Sequence, residues 1–242
     1  MITSKQNQTV KLIRSLSDKK YRDQTGLYVV ESIKLVKDAI ALGLDIELIV
    51  GTEKGISALG DTTYKTETVS EEIYKHISEQ VSPQGVLAIV KKPQNSQGCD
   101  GLSLLLDDVA DPANVGAIIR TAAACGYKTV YMTEGTADPY SPKSVRSAMG
   151  GIFRVNVVRD SIADLLKSIK NPITVADMCG KNAFESQIDG DFCLVIGNEG
   201  KGVSDLVKSR AQYTVSIPMQ NGMESLNAAV SAGILMYALK ND

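Results

Sequence analysis

The sequence predicts an α/β protein in two units, a small α/β/α sandwich followed by a larger doubly wound domain. Three observations lead there. Apolar strand-like runs alternate with helix-like segments along the whole chain. One polar segment, KKPQNSQGCDG at 91–101, breaks that alternation with Pro, Gly, Asn, Ser and Gln. The run LSLLLDD just after it is apolar without interruption, as a parallel strand buried on both faces must be. The expected division is therefore 1–94, a linker at 95–101, and 102–242.

In the first unit the order is an early basic helix, a short strand at 27–30, a helix at 33–42, a strand at 46–50 and a last strand at 85–90. About ninety residues is a normal size for a small domain. In the second, LSLLLDD leads into the helix ANVGAIIRTAAACG, with Asn114 as its expected N-cap and Gly126 as its stop. The strands TVYMT, VNVV, ITVAD and FCLVIG follow, with the helix IADLLKSI among them, and TVSIP comes last before a helix beginning near Ser225. In that helix Leu226, Val230, Ile234 and Tyr237 recur at helical spacing and are expected to face the core. Ligands of such a domain bind beyond the carboxyl ends of its strands.

Composition narrows the chemistry. Of 242 residues, 43% are hydrophobic and 22% charged, which fits an ordinary globular protein. No apolar run approaches the roughly 20 residues that span a bilayer, and the first residues do not read as a secretory signal, so a cytoplasmic protein is expected. Cys99, Cys125, Cys179 and Cys193 form no Cys-x-x-Cys pair and read as reduced thiols. His76 is the only histidine, in the polar segment EEIYKHISEQ, so hydrolase triads and most zinc sites are disfavoured and no metal is expected. Net charge is −2, but the basic residues cluster. Lys5, Lys11, Arg14, Lys19, Lys20 and Arg22 face only Asp18, and Lys143, Arg146, Arg154 and Arg159 occupy a stretch free of acids. Local stripes of this kind suit a polyanion; two solvated helix faces read equally well from charge alone.

Three loops, each at a strand end, carry chemical interest. LLLDDVADPANVGAIIR places Arg120 one turn beyond Gly116 on one helix face. FCLVIGNEGKGVS holds Gly197, Gly200 and Gly202 around Glu199, and its spacing matches neither a Walker loop nor GxGxxG. VSIPMQNGMESLNAA ends a strand at Pro218 and runs into a helix start whose free amides suit a polar ligand. Asn227 there is a poor helix former with no evident core role.

Taken together, Asn114-x-Gly116-x-x-x-Arg120, Ile196-Gly197-Asn198-Glu199-Gly200, and Ile217-Pro218-Met219 with Ser225-Leu226-Asn227 closely resemble the SpoU (TrmH) methyltransferases of the SPOUT class. The motifs stand in family order and cover the chain from Leu102 onward. KKYRDQTGLYVVES and SPQGVLAIV are similar to the family's substrate-binding domain, itself like a small ribosomal protein; Ser32 stands where many relatives have glycine.

The resemblance implies a C-terminal trefoil knot, a homodimer formed through it, and S-adenosylmethionine bound by Gly197, Asn198, Gly200, Ile217, Pro218, Met219 and Leu226. It implies methylation of a ribose 2′-hydroxyl in RNA, with 23S-type ribosomal RNA first and transfer RNA as the alternative. A non-catalytic RNA-binding protein of the same fold is the rival from another class. Arg120 resembles the family's essential arginine, with Asn114, Glu199, Ser225 and Asn227 around it. RNA docking is expected at Lys19, Lys20, Arg22, Lys143 and Arg146.

Overall fold

The structure, a computed structural model, describes residues 1–93 and 98–240; part of the expected linker, 95–97, lies outside them. The N-terminal unit runs α1 (Gln8–Ser15), α2 (Lys19–Thr25), β1 (Leu27–Glu31), α3 (Ile33–Ala41), β2 (Ile46–Gly51), α4 (Glu53–Ser57), β3 (Thr66–Thr68), α5 (Glu71–Ile77) and β4 (Val86–Lys91). Its sheet has the order β1-β4-β2-β3, with β4 antiparallel to both neighbours and β2 parallel to β3. Alternation along β1 explains the sandwich: Leu27 packs beneath α1 and α5, while Tyr28 and Val30 pack beneath α3. The single basic helix expected at the start is two helices. Asp18 breaks it, its carboxylate accepting from Lys20 N as the N-cap of α2.

Ser32 has φ 130°, a region where a side chain is strained, and its hydroxyl accepts from Leu35 N to cap α3. A glycine would be at ease in that conformation.

The C-terminal unit runs β5 (Ser103–Asp107), α6 (Pro112–Cys125), β6 (Thr129–Thr133), α7 (Pro142–Ala148), β7 (Asn156–Asp160), α8 (Ile162–Ser168), β8 (Ile173–Asn182), β9 (Cys193–Gly197), α9 (Asp205–Lys208), β10 (Tyr213–Ser216) and α10 (Ala228–Ala238). Its six strands are all parallel, in the order β10-β8-β9-β5-β6-β7. Both faces are covered, as the apolar run of β5 predicted: Leu104 and Leu106 lie in the core beneath α6 and α10, and Leu105 in the core beneath α8 and α9.

Two helix readings need correction. Asp111, not Asn114, caps α6, accepting from Ala113 N with Pro112 at the first helical position. The last helix begins at Ala228, not near Ser225, and its N-cap is Asn227. The core face of α10 also differs. Ala228, Ala232, Leu235, Met236 and Leu239 are buried, whereas Val230 and Tyr237 are 50% and 62% exposed and Leu226 lies outside the helix. A helix apolar on every side has two candidate faces, and periodicity alone selected the wrong one.

The units meet along a tight seam. Arg22, expected on an RNA-binding surface, is buried there and paired with Asp138 at 2.7 Å. Tyr28 packs on Tyr140 with ring centroids 4.9 Å apart, and Lys92 lies 5.4 Å above the Tyr140 ring. Leaving either partner of a buried ion pair alone costs about 3–5 kcal/mol, so this link resists opening.

Within the larger unit, α6 and α7 touch at Gly116: a Cβ there would stand 2.4 Å from Ser144 O. We expect Gly116→Ala to destabilise the fold by about 1–3 kcal/mol, read as a Tm lowered by several degrees in thermal unfolding.

Candidate active site

Three loops expected to act together do meet, beyond the carboxyl ends of β5, β9 and β10. The centre is Glu199. Its Oε1 accepts from Asn114 Nδ2 at 2.9 Å, and its Oε2 from Ala110 N at 3.2 Å. Asn114 in turn accepts on Oδ1 from Asn227 Nδ2 at 3.0 Å, while Asn227 Oδ1 caps α10 through Ala229 N and Val230 N. Asn114 thus spends its donor on one loop and its acceptor on another, and Asn227 its donor on Asn114 and its acceptor on its own helix, which fixes the orientation of both.

The glycines of the middle loop have separate uses. A Cβ at Gly197 would stand 2.3 Å from Gly202 C, so only glycine lets the loop fold back on its own strand. Asn198 and Gly202 exchange two backbone hydrogen bonds at 3.1 and 2.8 Å. Asn198 Oδ1 gathers Gly200 N and Lys201 N at 3.0 Å, and its Nδ2 reaches Asp108 O at 2.8 Å.

Two carboxylates that sequence reasoning passed over complete the frame. Asp107 is buried at the end of β5 and accepts from Ser204 N at 2.8 Å, holding the far end of the glycine loop. Asp108 has φ 59° and is held by Thr133, whose hydroxyl donates to Asp108 Oδ1 at 2.6 Å. The signal was a pair of acids closing an apolar strand, where a merely solvated residue has no reason to recur.

The third loop is open for a ligand. From Pro218 to Leu226 the one backbone-to-backbone bond among the described residues is Met223 N to Gln220 O, so most amides and carbonyls there have no backbone partner. Ile217 and Met219 are half-buried; Pro218, Ser225 and Leu226 are exposed. Exposed apolar side chains gather at the same end: Met223, Leu226, and from β8 and the turn after it Met178 and Phe184. Met178 lies in a bulge of β8, whose pairing with β10 jumps from Val175 to Lys181. An apolar cover beside free backbone polar groups fits a flat heteroaromatic ligand with a polar edge. Among the described residues, no group of three or more His, Cys, Asp or Glu is placed to hold a metal.

Arg120 and Ser225 are not joined to this cluster by any hydrogen bond. Arg120 is exposed and without an ion-pair partner among the described residues. It stands about 9 Å along α6 from Asn114 and about 120° around it. The Gly150–Gly151 turn braces its base, since a Cβ at Gly151 would lie 2.8 Å from Arg120 Cα. Of the expected RNA contacts, Lys19 pairs with Asp23 and Lys143 with Asp111 at 2.7 Å, while Arg146 donates to Glu79 O at 3.4 Å.

An all-parallel sheet with a polar clamp and an open loop beyond its strand ends is an arrangement in which α/β proteins bind a ligand. Comparison with known proteins narrows it. Residues 101–237 match the SpoU rRNA Methylase family, and residues 7–88 match the MRM3-like substrate binding domain. The chain belongs to the SpoU rRNA methylase family. It is 33% identical to the 23S rRNA (guanosine(2553)-2′-O)-methyltransferase RlmP of Bacillus subtilis, over 99% of this chain and 98% of that one. The AdoMet-bound rRNA methyltransferase from Sinorhizobium meliloti superposes with a TM-score of 0.87 at 29% identity, covering 98% and 95% of the two chains. The SpoU methyltransferase AviRb from Streptomyces viridochromogenes, also in complex with AdoMet, gives 0.86 at 25% identity, covering 96% and 97%.

Burial raises the pKa of Glu199, but hydrogen bonds from Asn114, its own amide, Ala110 and Asp111 outweigh burial and leave it below the ordinary 4.5. A depressed carboxyl stabilises the clamp fully above pH 4.5, and that contribution is lost as pH falls through the lower folded value. The protection of the Ala110 amide against exchange, relative to its intrinsic rate at each pH, is expected to fall over that acid window in the native protein. In Glu199→Gln that pH-dependent fall in protection should be absent.

Proposed function

We propose that this protein transfers a methyl group from S-adenosylmethionine to a ribose 2′-hydroxyl of ribosomal RNA. The observation that carries the reading is the Asn114–Glu199–Asn227 clamp, which draws three distant loops together beside an open ligand loop in a chain of this family. Relatives named for 23S rRNA favour a 23S-type substrate over transfer RNA. The cytoplasmic location expected from the sequence belongs to the same reading.

When bound, the donor supplies a methyl group already activated on a sulfonium, so no metal is required of the protein. The chain supplies alignment and help with the hydroxyl proton. Gly197, Asn198, Gly200, Ile217, Pro218, Met219 and Leu226 hold the donor, the glycine loop as a wall and the third loop by its unpaired backbone groups, under the apolar cover of Met178 and Met223. Arg120 grips the phosphate next to the target ribose and stabilises the developing alkoxide; a guanidinium does not serve as the base. Asn114, Glu199, Ser225 and Asn227 position donor and nucleotide.

A homodimer through α10 belongs to this reading. Val230 and Tyr237, with the half-buried Ile234 between them, form an outward apolar face that the described residues leave largely exposed. Arg120, turned away from Glu199 around α6, serves the site across that interface. The trefoil knot is supported by the path of the chain, which reaches the sheet edge at β10 and returns to pack α10 on α6.

Incubation with rRNA and tRNA, followed by mapping of 2′-O-methyl positions, tests the function; no modified ribose in either would defeat it. Arg120→Ala should lower kcat by roughly 10²-fold, the usual scale for losing one transition-state donor, with donor affinity unchanged. Full activity in Arg120→Lys would reject the two-pronged grip. The exposed Lys19, Lys20, Lys143 and Arg146 remain the docking surface. Removing Lys19 and Lys20 should reduce the slope of log affinity against log salt by about 1–2, measured by titration at several salt concentrations.

A further inference from the structure

Arg22 uses four N–H groups at the seam between the units. Nη1 donates to Leu16 O at 2.7 Å and Ser17 O at 2.8 Å, which ties down the turn before its own helix. Nε and Nη2 donate to Asp138 Oδ2 at 2.9 and 2.7 Å, across the seam. On the far side Asp138 is not an isolated partner. Its Oδ1 accepts from Tyr140 N at 3.0 Å, and its carbonyl accepts from the fully buried Ser144 hydroxyl at 2.8 Å. The same Ser144 hydroxyl lies 3.0 Å from Pro112 O in the first turn of α6. Ser144 O is also the atom against which Gly116 packs. A continuous set of short polar contacts therefore runs from α2 to the helix that carries Asn114 and Arg120.

We propose that Arg22 is a positioning residue for methyl transfer. It fixes the register between the N-terminal unit and the start of α6, so that RNA docked on the former presents its ribose to the donor held beside Asn114. The inference rests on the methyltransferase reading. A buried guanidinium cannot touch RNA, yet it accounts for a charge kept at 2% exposure in an otherwise solvated basic helix. A lysine there is only a point charge and cannot make all four contacts. Binding energy gained by docking speeds the reaction only when the two units are held in one geometry. Displacements of about 1 Å from remote changes can cost up to 10²-fold in rate.

The test compares Arg22→Lys with the pair Arg22→Met and Asp138→Leu. The double variant leaves no lone buried charge and so protects folding. Donor-binding stoichiometry by calorimetry counts competent sites, and kcat is expressed per such site. Expected are donor and RNA affinities near native, with kcat per site reduced by about tenfold or more in both variants. An unchanged kcat per site overturns the proposal, and so does an RNA affinity that falls in step with kcat, because Arg22 would then be an RNA contact. Loss of sites that leaves the survivors fully active marks a purely structural role and overturns it as well. If the native protein methylates no RNA, the functional reading fails instead, and the two failures are distinguishable.

Discussion

The site depends on one carboxylate, Glu199, that is solvent-exposed yet held on both oxygens by hydrogen bonds. Glu199 accepts from an asparagine on one loop and a backbone amide beside it, and that asparagine is itself held by the cap of the last helix. Remove this acceptor and Asn114 has a buried donor without a partner, its amide is no longer fixed in orientation for Asn227, and the glycine loop is tied to the end of β5 through Asn198 and Asp107 instead. A satisfied network of this kind is rigid because each member has a single arrangement that serves all the others. Preorganisation is what a methyl transfer from an activated donor needs, since alignment is most of the enzyme's contribution.

The rest of the architecture places this clamp. The parallel sheet brings β5 and β9 into register so that Asp107 stands beside Gly197. Asp107 holds Ser204 while Gly197 admits Gly202 at its flank, so the loop is fixed at both ends. On the other side α6 is held by α7 through Gly116 and Ser144, and α7 is held by the N-terminal unit. The fold is thus a frame with a soft face at residues 217–227 and stiff supports behind it.

Much of this was legible in the residues. Continuous apolar strands gave the parallel sheet, and glycine-rich strand ends gave the loops, because buried strands and tight turns have strong local signatures. What failed was what depends on a partner far along the chain. Asn114 reads as a cap because asparagine near a helix start usually is one; Glu199, 85 residues away, takes its donor instead. Arg22 reads as surface because it sits among lysines, and only Asp138, 116 residues on, shows that it is internal. The outward face of α10 was misassigned because a uniformly apolar helix carries no moment. Met178 and Phe184 went unnoticed because exposure of an apolar side chain is a property of the fold and not of its neighbours in sequence.

The bond from Asn227 to Asn114 spans 113 positions, and this separation bears on how the molecule matures. Long-range closures are the slow events of folding. A growing chain completes its first sheet and most of its second before residue 227 exists to finish the clamp. Competence therefore arrives all at once and late, so a half-made polypeptide on the ribosome has no working centre with which to act on the RNA around it.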